Sequence, residues 1–199
     1  MKDVDTAQAD DRAEPFQCGQ ESLPQVPPDA VALGAGDDGA MNEQPQGTLW
    51  SARVAIDTDY EFFQKFGNEN AATSYVGALI GYASTLYIAQ VDTQLAVSYL
   101  RLWNTASDPW VQTGSACALY EFGKHWNDNM AAQSRTIAHM LSGKSAGGGI
   151  AWVGVLCRDA FNSNITAANC SAGLTGTGNF GGAYGFSGSM SGTFNPSNP

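Results

Sequence analysis

Trp50-Ser51-Ala52-Arg53-Val54-Ala55-Ile56-Asp57 alternates apolar and polar side chains, the two-residue period of a half-buried strand. Beyond it Ala71, Tyr75, Ala78/Leu79, Tyr82 and Leu86 recur at steps of three and four and predict a helix with one apolar stripe. Gly77 and Gly81 on that stripe lower helix propensity but allow another element to pack close. Val91 to Trp103 reads as a second strand, with Leu95, Val97 and Tyr99 apolar and Thr93, Ser98 and Arg101 polar. This strand–helix–strand order sets the frame for the rest of the chain.

A second helix is predicted from Ser107-Asp108-Pro109, with Asp108 as the cap and Pro109 in the first turn. Leu119, Phe122, Trp126 and Met130 share one face of it. Arg135 to Leu141 is expected to be a third strand and Gly143 to Gly149 a glycine-rich turn. Ile150-Ala151-Trp152-Val153-Gly154-Val155-Leu156 follows as a seven-residue apolar strand, antiparallel and at a sheet edge. Tyr184 to Phe194 suggests a weak hairpin or strand. Strands alternating with helices imply an α/β fold with a mostly parallel sheet.

The 199 residues are 43% hydrophobic and 14% charged, which excludes a wholly disordered chain. The net charge is −10, and residues 1–50 carry −8 of it through ten acids and two bases. No basic face exists to hold nucleic acid, so no nucleic-acid partner is expected. No run of 18 apolar residues occurs, so no membrane span is expected. Residues 1–49 read as an acidic, disordered pro-segment or linker, rich in Asp, Gln, Pro and Gly, and residues 50–199 as the domain.

Four cysteines are present. Cys157 and Cys170 span a polar, Asn-rich loop that suits either a disulfide in an oxidising compartment or two free thiols. Chemistry inside the chain is sparse. His125 and His139 are the two histidines, and neither has the partners of a zinc site. His125 with Asp128 reads as a solvated helix face. His139 reads as a hydrogen-bonded, half-buried strand residue. No serine-nucleophile elbow, phosphate loop or dinucleotide fingerprint is present. Neither a catalytic set nor a metal-ligand set can be assembled from these residues.

Three segments carry a resemblance. They are Arg53 to Glu61; the helix ending in Leu86-Tyr87 with Val91 to Val97 and Leu102-Trp103; and His139-Met140-Leu141-Ser142-Gly143-Lys144 with Gly148-Gly149-Ile150-Ala151-Trp152-Val153-Gly154-Val155-Leu156-Cys157. Over residues 50–199 the chain resembles the N-terminal part of the catalytic domain of the reprolysin (adamalysin-like) metzincins, in the form found in secreted bacterial proteins. The resemblance implies a zincin-like mixed, mostly parallel twisted sheet with two long helices, incomplete at the C-terminus. It implies a secreted zinc metalloendopeptidase acting on peptide or protein substrates.

Within that resemblance Gly149, Ile150 and Ala151 are the edge strand on which substrate lies. Cys18, in Phe16-Gln17-Cys18-Gly19, is a candidate latency thiol, with a disulfide or spare thiol as the plainer alternative. The family's zinc motif, HExxHxxGxxH, does not occur before Pro199. The expectation is a chain that stops upstream of its zinc helix, binds no zinc and cleaves nothing alone. The alternative is a non-catalytic pseudo-protease binding module on the same scaffold.

Overall fold

The computed structural model describes residues 14–15, 48–156, 158–165, 170 and 173–194. Cys18 and Cys157 lie outside the described residues.

β1 (Glu14–Pro15) pairs parallel with the start of β2 (Trp50–Thr58). The chain then forms α1 (Tyr60–Gln64), α2 (Glu69–Val91) and β3 (Thr93–Arg101). Next come α3 (Ser115–Asn129), β4 (Ile137–Leu141) and β5 (Gly149–Ala151). β6 (Phe161–Asn164), β7 (Thr177–Gly181) and β8 (Tyr184–Ser187) are the last described elements. β3 lies on one side of β2, and β4, β8 and β5 follow in that order on the other. All pairs in this sheet are parallel except β5 with β8. β6 and β7 form a separate antiparallel pair.

Alternation along the strands explains the two cores. Val54, Ile56 and Leu141 pack with Phe62 and with Ala72 and Val76 of α2. Their neighbours Ala55, Ala138 and Met140 point to the opposite face and pack with Leu119, Phe122 and Trp126 of α3. Each helix therefore covers one face of the sheet. The chain leaves β2 toward β3 and returns past it to β4. That reversal creates a crevice at the C-terminal ends of β2 and β4, where ligands and loops gather in parallel sheets.

Several expectations change. Asp108 does not cap a helix: α3 begins at Ser115 behind Gly114, and the Asp108 carboxylate instead accepts N–H bonds from Tyr60 and Trp110. The seven-residue strand from Ile150 shrinks to Gly149–Ala151, with Val153 94% exposed and Leu156 53% exposed. Of the two readings of the glycine-rich end, hairpin or strand, the strand holds, over a shorter span. Tyr184–Ser187 is a strand inserted between β4 and β5, with Tyr184 and Phe186 in the core. The proposed Cys157–Cys170 pairing is also corrected: Cys170 is bonded to Cys117 at the start of α3. A thirteen-residue separation favoured the nearer partner, but the β6–β7 pair folds back onto α3 and carries Cys170 there. Tyr120 of α3 packs with Leu174 and Phe180 beside the bond.

Candidate functional site

The edge of the sheet ends on β5. Trp152 N donates to Tyr184 O at 3.2 Å, and Gly188 N donates to Gly148 O at 3.0 Å. Hydrogen-bonded pairs alternate along an antiparallel ladder. The register, Ile150 opposite Phe186, therefore makes that pair the bonded one between them. The N–H and C=O groups of Gly149 and Ala151 point the other way, toward the free edge. All three residues are exposed. Ile150, Val153 and Leu156 line the same stretch with exposed apolar side chains. Gly149, Ile150 and Ala151, singled out in the sequence, thus lie together on an edge that no other described strand pairs with.

At the C-terminal ends of β2 and β4 lies a polar cluster that sequence reasoning missed. Asp59 directly follows β2 and caps α1, its Oδ1 accepting the N–H of Phe62 at 2.7 Å. The same oxygen accepts the N–H of Gly143 at 2.9 Å, and Oδ2 accepts the Ser142 hydroxyl. Lys144 donates from Nζ to Trp110 O and stands 3.9 Å from Glu61 Oε2. Glu121 of α3 accepts the N–H groups of Val111 and Gln112, and burial pushes its carboxyl above its ordinary pKa. Asp59, Trp110, Glu121, Ser142, Lys144 and Phe186 enclose a cavity of about 10 Å³, room for about one water. The signal available in the sequence was Asp59 three residues before Phe62, a capping spacing, and Gly143 directly after Ser142.

The ionisable groups nearby are structural. His139 Nε2 pairs with Ser187 Oγ at 2.9 Å across β4 and β8. Burial lowers the His139 pKa to about 4. Its ring fills the space beside Gly185, where a Cβ would stand 2.5 Å from Nδ1. His125 packs edge-on to Trp110 at 4.9 Å, and burial first and Arg101 second lower its pKa. Asp128 pairs with Lys124 at 2.5 Å rather than with His125. Asp57 is fully buried, and burial raises its pKa to about 7.

The family comparison agrees with this topology. The Reprolysin_5 family model, metallo-peptidase family M12, matches residues 50–187. The chain belongs to metallo-peptidase family M12. No curated protein matches the chain.

An M12 metallopeptidase hydrolyses peptide bonds with a bound metal, and zinc fits three nitrogen or oxygen ligands around an open position. The described residues do not fit it. His139 faces Ser187 and His125 faces Trp110, on opposite sides of the sheet and far apart in role. Among the described residues no group of three or more His, Cys, Asp or Glu could hold a metal ion. What these residues do supply is the sheet, its two covering helices and a free edge.

Proposed function

We propose that this chain supplies the scaffold and the substrate-binding edge strand of a secreted zinc metalloendopeptidase, with Gly149, Ile150 and Ala151 pairing with an extended peptide. One observation carries the reading: the backbone groups of Gly149 and Ala151 point outward from the last strand of the sheet. An unpaired edge binds an extended chain through main-chain hydrogen bonds, and the flanking side chains select among sequences. The Cys117–Cys170 disulfide supports an oxidising, extracellular setting. Zinc belongs to the complete enzyme on this reading. The 199 residues alone bind none in stoichiometric amount and hydrolyse no peptide, because both histidines are engaged elsewhere.

Binding of a fluorescent, apolar, extended peptide to the 199-residue chain tests the edge. Proline at position 151 removes an outward N–H and leaves the β5–β8 ladder intact, since edge strands tolerate it. Loss of binding in Ala151→Pro, with the thermal transition retained, supports the assignment. Unchanged binding in that variant, or no binding by the wild-type chain, rejects it. The engagement of both histidines also suits a non-catalytic binding module built on the same edge. Peptide cleavage by the protein purified from its natural source separates the two: cleavage rejects the module, and its absence rejects the peptidase.

A further inference from the structure

We propose that Asp59 is a positioning residue: its carboxylate clasps Ser142 and Gly143 and so fixes where the loop from β4 delivers the edge strand β5. This inference rests on the reading of β5 as a peptide-binding edge. A helix cap needs one carboxylate oxygen, and Phe62 N already occupies Oδ1 of Asp59. Yet Oδ1 also takes the N–H of Gly143, and Oδ2 takes the hydroxyl of Ser142, 83 residues away in sequence. Asp59 is fully buried, so moving the loop leaves a buried carboxylate short of partners, which is costly.

Two further contacts define the same geometry. Gly143 rests on the first turn of α1, where an added Cβ would meet the Glu61 carbonyl carbon at 2.3 Å and Phe62 N at 2.4 Å. Only glycine lets the loop come this close. Lys144 then ties the next residue to Trp110 O. Ser142, Gly143 and Lys144 are thus held on consecutive residues, and Gly149 begins β5 five residues later.

The test is amide hydrogen exchange together with peptide binding on the full 199-residue chain. Ser142→Ala removes one arm of the clasp but leaves the α1 cap, so the variant should fold. The Trp152 and Gly188 amides, which bond across β5 and β8, should exchange about tenfold faster, and the Ala138 amide in the β4–β8 ladder should not change. Peptide affinity should fall by a similar factor. Asp59→Asn retains acceptors for both N–H groups and offers an N–H to the Ser142 oxygen, so it should preserve the β5 amides where Asp59→Ala does not. Unaltered Trp152 and Gly188 exchange in Ser142→Ala, or acceleration spread equally to Ala138, overturns the clasp. So does an Asp59→Asn variant no better than Asp59→Ala. Exchange judges the clasp even if the wild-type chain binds no peptide, a result that overturns only the edge-binding reading.

Discussion

The indole N–H of Trp103 donates to Oδ1 of Asp57 at 3.1 Å, and the backbone N–H of Thr58 reaches the same oxygen at 3.0 Å. The other carboxylate oxygen, Oδ2, is buried without a hydrogen-bond partner. Desolvation outweighs the two donors, Arg101 and the nearby Trp126 indole, and raises the Asp57 pKa to about 7 from 3.8. The folded chain then holds this proton more tightly than the unfolded chain. The stabilisation it gives is complete below pH 3.8 and is lost as pH rises through about 7. Asp57→Asn keeps an acceptor for Trp103 and removes the titration. Relative to wild type it should gain stability between pH 4 and pH 7, by up to about 4 kcal/mol. Urea unfolding across that range measures it, and a constant difference at all pH values contradicts the assignment.

His139 acts in the opposite sense. Burial lowers its pKa from 6.5 to about 4, so the folded state favours the neutral ring. The stability this gives is present above pH 6.5 and is lost as pH falls toward about 4. The two groups therefore offset each other in the wild-type chain between pH 4 and pH 6.5. The expected outcome is that Asp57→Asn is more acid-sensitive than wild type, because the His139 slope is then unopposed. NMR titration of the two histidine rings should give a midpoint near 4 for His139; a midpoint near 6.5 contradicts the buried Ser187 pairing.

Gly123 lies in the middle of α3, where alanine would ordinarily favour the helix by about 1 kcal/mol. A Cβ there would stand 1.9 Å from the carbonyl oxygen of Phe180, a backbone atom that cannot swing away. Gly123→Ala should therefore destabilise, by about 1–3 kcal/mol. A rise in the urea midpoint for this variant would show that α3 and β7 are not in contact.

The Cys117–Cys170 bond joins residues 53 apart in sequence. Cross-linking a loop of that size removes about 4 kcal/mol of unfolded-state entropy in the chain-entropy model. Replacing both cysteines with serine should lower stability by an amount of that order. The loss should be read first at Tyr120, Leu174 and Phe180, which pack beside the bond. Methyl NMR of Leu174 reports on this corner directly.

The strongly periodic elements were legible in the sequence. The Trp50 strand and the Leu119–Phe122–Trp126 face appear where periodicity put them. The helix from Glu69 to Val91 also forms, but its buried face is Ala72, Val76 and Ser84 rather than the expected Ala71–Leu86 stripe: Leu86 is 43% exposed, and Gly77 and Gly81 face open space. Tyr184–Ser187 read only as a weak hairpin or strand, because Gly185 gives it no apolar side chain on one face. That glycine is required instead by the His139 ring packed over it. Ile150–Leu156 misled in the other direction. Its apolar run was expected to be a seven-residue antiparallel edge strand; the edge position and direction hold, but the strand stops at Ala151 and Val153 faces solvent. The clasp at Asp59 was invisible because its partners, Ser142 and Gly143, are brought together by parallel pairing of β2 with β4 and by no local pattern. The partner of Cys170 was missed for the same reason.

Strand order also has a consequence in time. β5 is synthesised before β8, yet β8 separates it from β4 in the sheet. Residues 149–151 therefore have no neighbour to pair with until residues 184–187 have emerged and docked. The β6–β7 pair and its disulfide occupy the interval, drawing the chain back across α3 toward β4. The place of β5 in the sheet is thus set only once β8 has docked beside β4.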